Sequence, residues 1–173
     1  MRIIHFSDFH LQGGKISILH RINAEKLLDA LRKVNNQKKI DLVVFGGDLI
    51  DCGGDSFNSI TEGFNSFEEI VLKPIMTEFG LPHECIIIVP GNHDKDVSLL
   101  PKYADSLMTE TKVMKFLFSD NSANENMKGM SAYYAFRDAF YNGIVEYYKS
   151  DIDFSSCLKL QIEGKKIGIA MLN

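Results

Sequence analysis

The sequence predicts an α/β fold: a parallel sheet whose polar loops gather at one edge, covered by helices and followed by a β-hairpin. Three observations carry this expectation. Three short apolar runs each end in glycine or polar residues: Ile3-Ile4-His5-Phe6 before Ser7-Asp8-Phe9-His10, Leu42-Val43-Val44-Phe45 before Gly46-Gly47-Asp48-Leu49-Ile50-Asp51, and Ile86-Ile87-Ile88-Val89 before Pro90-Gly91-Asn92-His93-Asp94. Between these runs apolar residues recur at helical spacing, the alternation from which parallel βαβ units are built. Near the end of the chain two segments alternate apolar and polar residues across a Glu163-Gly164-Lys165 turn, as in a β-hairpin.

Taken in order, residues 2–7 are expected as a strand and 11–20 as a loop around Gly13-Gly14. Asn23 reads as a helix N-cap, since Ala24, Leu27, Leu28, Leu31 and Val34 follow at helical spacing, and the polar 35–39 stretch ends that helix. The strand at 41–45 should then lie parallel to the first through a right-handed crossover. After the glycine-rich 51–55 loop, Phe64, Phe67, Ile70, Val71 and Ile75 mark a second helix, interrupted near Pro74. Gly80-Leu81-Pro82 returns the chain to a strand at 85–89, buried on both faces.

Farther on, Leu99, Leu100, Tyr103 and Leu107, with Val113, Phe116 and Leu117, suggest one or two helices. Residues 119–131 are polar and without apolar period, the pattern of a loop. Tyr133, Phe136, Phe140, Ile144 and Tyr147 form an aromatic stripe that reads as one core-facing helix. The chain therefore reads as a βαβαβ unit over 1–94, a helical segment over 95–150 and a hairpin region over 151–173, in all the size of one domain.

A chain of 173 residues, 45% hydrophobic and 24% charged, can bury a substantial core. The net charge of −4 and the absence of a Lys/Arg stripe give no electrostatic footprint for nucleic acid, although a local patch could still sit on an acidic protein. No apolar run approaches the roughly 20 residues needed to span a bilayer. Cys52, Cys85 and Cys157 are odd in number and lack CxxC spacing, which points to reduced thiols and a cytoplasmic location.

The residue types at the three strand ends suit a pair of divalent ions. Two such ions roughly 3.5–4 Å apart require a bridging carboxylate and can clamp both oxygens of an in-line displacement at phosphorus. Asp48, on the middle segment, is the natural bridge. Asp8 and His10, two residues apart, can turn to one ion, and Asn92 offers a carbonyl oxygen to the other. This donor set suits Mn, Fe, Zn or similar ions without choosing among them.

Asp8-Phe9-His10, Gly47-Asp48-Leu49-Ile50-Asp51 and Gly91-Asn92-His93-Asp94 together resemble the DxH, GDxxD and GNHD blocks of the calcineurin-like metallophosphoesterases. The resemblance implies an α/β/β/α sandwich, of which residues 1–173 are the N-terminal portion with 151–173 starting the second sheet, and hydrolysis of phosphoesters, mono- or diesters, by a water activated at two metals. It implies Asp8 and His10 on the first metal, Asp48 bridging, and Asn92 on the second. It also implies that His93 is no ligand but protonates the leaving oxygen or stabilises the phosphoryl group, with Asp94 orienting it. The family's two later histidine blocks have no counterpart in this sequence. The expectation is thus an N-terminal piece of a longer protein, with further domains beyond Asn173, at most one weakly held ion and little or no activity by itself. Uncovered sheet surface would favour self-association.

Other polar residues receive structural readings: His5 as a core histidine, His20 as exposed near a helix start, and His83 at the far sheet edge. Asp51 reads as loop support, with contact to a ligand histidine as the alternative, Cys52 as a small buried residue and Asp55 as a loop carboxylate. Competing functions are a nuclease of the same fold, a non-catalytic scaffold or regulatory domain, and an effector module fused to a larger sensor or ATPase.

Overall fold

A computed structural model describes residues 1–14, 17–96, 120–149 and 155–172. In chain order these form β1 (Ile3–Phe6), α1 (Ser17–Gln37), β2 (Leu42–Phe45), α2 (Ile60–Phe67), α3 (Lys73–Phe79), β3 (Ile86–Ile88), α4 (Asp120–Phe140), β4 (Tyr147–Lys149), β5 (Ser155–Ile162) and β6 (Lys165–Leu172). The helices expected between Leu99 and Leu117 lie outside the described residues.

The most apolar runs take the most enclosed places. Leu42, Val43 and Phe45 are buried in β2, the middle strand, and all of Ile86–Ile88 in β3. Both neighbours run parallel to β2, pairing Phe6 with Phe45 and Phe45 with Ile88. Among the described residues β1 is an edge strand of this sheet, covered less well: Ile3 and His5 are exposed while Ile4 and Phe6 are half-buried. His5 is therefore not a core histidine. Strand alternation does turn it away from the packed face, but an edge strand leaves that other face open to water.

α1 begins at Ser17, so Asn23 lies inside the helix rather than at its cap, and the expected 11–20 loop is shorter. An exposed asparagine costs a helix only roughly half a kcal/mol, too little to end it. At its other end the Arg2 guanidinium donates to the carbonyls of Val34 and Lys38, and the Asn35 side chain accepts the Ile40 N–H at 2.8 Å. The last turn of α1 is thereby tied to the start of β1.

Ser59 caps α2 by accepting the Glu62 N–H at 3.1 Å, while Glu62 reaches back to the Asn58 N–H at 3.1 Å. The interruption expected near Pro74 takes the form of a π-helical turn over Glu68–Leu72, between α2 and α3. Pro74 would clash with the carbonyl four residues back in a regular helix, and the wider turn relieves it. Gly80, at φ 61°, ends α3 in the left-handed region.

Two expectations fail in the later part. Residues 120–131 are helical, the first half of α4, where a loop was expected. A polar stretch carries no apolar stripe in its sequence, but its residues oppose helix only weakly, and the packed turns from Tyr133 onward extend it. The aromatic stripe is not one helix either: α4 ends at Phe140, Ile144 lies in a turn with Gly143 at φ 82°, and Tyr147 opens β4. Residues three or four apart share a helix face, but a turn between two elements can reproduce that interval by chance.

β4, β5 and β6 form a separate antiparallel sheet, with Ile162 paired to Lys165 at the expected turn. Its buried positions alternate along β5: Ser156, Leu158, Leu160 and Ile162. These leucines and isoleucine join the same buried cluster as the first sheet. Phe64 of α2 stacks on Phe136 of α4 at 5.1 Å. The Tyr141 hydroxyl accepts the Ile88 N–H at 3.1 Å and donates to the Ile86 carbonyl at 2.8 Å, while Tyr133 donates to the Ile88 carbonyl at 3.0 Å. The outer side of β3 is thus satisfied by two tyrosines from α4 and the turn after it.

Candidate metal centre

The parallel register that pairs Phe6 with Phe45 does not stop where the strands stop. The Asp8 N–H donates to the Gly47 carbonyl at 3.1 Å, His10 to Asp48 at 2.9 Å and Leu11 to Leu49 at 3.0 Å. The loop after β1 therefore runs alongside the loop after β2, which sets Asp8 and His10 beside Asp48. From β3 the third loop closes over the second. A Cβ on Gly91 would stand 2.0 Å from Asp48 Oδ1, and Gly47, at φ 111°, presses against Gly91 from the other side. These two glycines permit the approach.

The side chains then converge. His10 Nε2 lies 3.9 Å from Asp8 Oδ1 and 3.8 Å from Asp48 Oδ2. The Asp48 Oδ1 atom accepts the His93 backbone N–H at 2.9 Å. The rings of His10 and His93 meet edge to face with centroids 4.6 Å apart. One donor atom from each of His10, Asp48 and His93 lies within 4.8 Å of the other two. Asn92 is exposed and lines, with His93, Lys95, Asp55, Cys52 and Gly53, a cavity of about 430 Å³.

Asp8, His10, Asp48 and Cys52 all hold positive φ, between 45° and 56°. Such backbone costs a non-glycine residue roughly 1–3 kcal/mol and persists where the surroundings over-determine it. Here the inter-loop hydrogen bonds do so.

Asp51 takes both of the parts the sequence left open, whereas Asp94 differs from its expected one. Asp51 Oδ1 faces the Nδ1 atoms of both His10 and His93, at 3.5 Å each, while its other oxygen accepts from Gln12 Nε2 at 2.6 Å. Burial pushes this carboxyl up, but the hydrogen bonds from Gln12 and Cys52 and the two imidazoles outweigh it and hold it below the usual range. Asp51 thus contacts both histidines as well as supporting the loop. Asp94 does not orient the His93 ring. Fully buried, its carboxylate accepts the N–H groups of Leu49 at 2.9 Å, Ile50 at 3.1 Å and Gly91 at 2.8 Å, tying the second and third loops together. The His93 ring is held instead by the Cys52 N–H, which donates to its Nδ1 at 3.1 Å. Cys52 is exposed, not buried, because its left-handed backbone turns it outward at the cavity. Its thiol donates to Asp51, and that carboxylate pushes the thiol's pKa up.

Gln12 carried no signal in the sequence beyond its place in the loop after β1. His20, near the start of α1, is half-buried rather than exposed: its Nε2 accepts the Gln12 N–H at 3.3 Å, and burial lowers its pKa.

The donors suit a metal. His10 Nδ1 is buried without a hydrogen-bond partner, facing the Asp51 carboxylate, an arrangement that fixes the ring with Nε2 toward Asp8 and Asp48. Residues 1–165 match the calcineurin-like phosphoesterase family. The uncharacterized metallophosphoesterase-like protein YydB of Bacillus subtilis (strain 168) is 24% identical over 157 residues, which are 89% of this chain and 30% of YydB. The chain therefore spans about a third of that relative's length. No helix among the described residues is long and apolar enough to cross a membrane. With parallel sheet, interloop site and family match in agreement, the chain belongs to the calcineurin-like phosphoesterases, a family that uses divalent metals to act on phosphoester substrates.

Proposed function

We propose that this chain carries the first part of a two-metal phosphoester hydrolase centre. Asp8, His10 and Asp48 would hold one ion, and Asp48 and Asn92 the other. The observation that carries the reading is the meeting of His10, Asp48 and His93 within 4.8 Å, with the Asp8 carboxylate 3.9 Å from His10. When bound, the ions supply positive charge for the attacking and leaving oxygens.

The chain's own groups do the rest. Asp48 holds its place through the His93 backbone N–H, and Asp51 fixes the direction of His10. Because His93 Nδ1 accepts the Cys52 N–H, the neutral ring carries its proton on Nε2. That N–H is the one we assign to the phosphoryl group, as a hydrogen-bond donor that stabilises it and the leaving oxygen. Asp94 acts on the site only by joining its loops, so it is a positioning residue.

Residues 1–173 offer the second ion one shared carboxylate and one amide, which compete poorly with water. We infer at most one weakly held ion, Mn being a suitable one, and little hydrolysis by these residues alone. Mono- or diesters as substrates, nucleic acids among them, further domains, self-association and a cytoplasmic location belong to the same proposal. The test is Mn²⁺ titration with hydrolysis of a chromogenic phosphodiester, on this chain and on a version extended past Asn173. Asp48→Ala should abolish metal binding; His93→Ala should preserve it and lower any turnover by roughly 10²–10⁴-fold. Equal metal loss in the two variants contradicts the division of roles.

A further inference from the structure

Beside the oxygen-rich cluster stands a second set of donors of different chemistry. Cys52 Sγ lies 3.4 Å from Asp51 Oδ1, and His93 Nδ1 lies 3.5 Å from the same oxygen. One donor atom from each of the three residues lies within 4.8 Å of the other two. Zinc bonded at about 2.3 Å to sulfur and about 2.0–2.2 Å to nitrogen and oxygen, with tetrahedral angles, places its ligand atoms roughly 3.3–3.6 Å apart. The two measured separations are edges of that size.

We propose that Asp51, Cys52 and His93 form a second metal site, selective for zinc and similar thiophilic ions, opening onto the cavity beside the hydrolytic centre. In the free protein His93 Nδ1 accepts the Cys52 N–H, a hydrogen bond that a metal ion would displace as it took the same lone pair. Cys52 is exposed and lines the cavity with His93, so an ion from solvent reaches both. In the free protein the Asp51 carboxylate keeps the Cys52 proton in place. A dication reverses that field: the S–H bond breaks, the proton leaves to solvent and the thiolate bonds the ion. Thiolate with imidazole favours zinc over manganese, whereas Asp8, His10 and Asp48 present mostly oxygen. The site stands independently of the proposed hydrolysis. Only its effect on turnover, by occupying Asp51 and His93, rests on that reading.

The probe is Co²⁺, whose bond to a thiolate gives a near-ultraviolet charge-transfer band that oxygen and nitrogen ligands do not. The chain should develop this band at one equivalent, lose it to Zn²⁺ and keep it in a large excess of Mn²⁺. Cys52→Ser should remove the band and weaken Zn²⁺ binding by more than about 10-fold, while a Cys85→Ser/Cys157→Ser variant keeps both. In that double variant, reversible blocking of the remaining thiol with a methanethiosulfonate should erase the band without any substitution at Cys52. No band, a band that survives Cys52→Ser, or one erased by Mn²⁺ overturns the site. Asp48→Ala separates the two proposals: a lasting Co²⁺ band with Mn²⁺ binding lost supports both. If Mn²⁺ binding also persists, the hydrolytic assignment fails and the zinc site stands.

Discussion

The two sheets solve the same packing problem with opposite use of backbone. In β4–β6 every described pairing is regular, the turn at Glu163-Gly164 is short, and buried and exposed side chains alternate along β5. Past the ends of β1, β2 and β3 the chain abandons regularity. Four side-chain-bearing residues sit at positive φ, two glycines allow van der Waals contact between loops, and a buried carboxylate serves three backbone N–H groups. The antiparallel sheet rests on its ladder hydrogen bonds and the burial of one face, with positive φ confined to its Glu163-Gly164 turn. The parallel one gives up local backbone comfort to bring polar groups together, and its loops hold only because each strained residue is anchored by another loop.

If that contrast is right, the largest effect should come from Gly91→Ala. The new Cβ would overlap Asp48 Oδ1, so urea denaturation should show a loss of at least ~3 kcal/mol, with Mn²⁺ binding abolished in whatever remains folded. Leu158→Ala, fully buried in β5, should cost about 2–5 kcal/mol yet leave Mn²⁺ affinity unchanged once the folded fraction is allowed for. A drop in affinity there would mean the two halves are coupled. Asp94→Asn should cost about 1–3 kcal/mol, because an amide cannot accept all three N–H groups. Calorimetric Mn²⁺ titration should show weaker binding in that variant although Asp94 contacts no metal donor.

The smallest effect belongs to Asp138, beside β4. Burial pushes its carboxyl up, but the hydrogen bonds from Lys149 and Arg137 prevail and hold it below the ordinary aspartate value near 3.8. Its contribution, roughly 0–1 kcal/mol at this half-exposed position, is present above that value and lost as pH falls through the folded-state pKa. Asp138→Asn should therefore flatten the acid limb of stability below about pH 4 and leave stability near neutrality almost unchanged, measured by urea midpoints across that range.

Much of this architecture is legible in the sequence for a simple physical reason. Ile86–Ile88 and Leu42–Phe45 are apolar without alternation because both faces are covered, and the polar residues after them can only emerge at the strand ends. The alternation of Leu158, Leu160 and Ile162 records one covered face. What escapes the pattern is whatever depends on neighbours distant in sequence. His5 looked internal because the pattern does not say which strand lies at the edge. The family resemblance pairs Asp94 with His93, whereas the folded loops give its carboxylate to the backbone of Leu49, Ile50 and Gly91. Gln12 reaches Asp51 across 39 residues of sequence. The helical first half of α4 leaves no apolar imprint because its sequence has no stripe to bury.

The tyrosine hydroxyls on β3 bear on how the protein behaves in a crowded solution. A strand with vacant N–H and C=O groups on its outer side is a template for another chain, the first step toward ordered aggregates. Tyr141 occupies one N–H and one carbonyl of β3, and Tyr133 a second carbonyl, so an incoming strand finds those positions already taken. A hydroxyl both donates and accepts but cannot itself propagate a ladder. Among the described residues, two side chains from α4 and its following turn thus cap this side of the sheet chemically, where a barrel would do so by closing on itself.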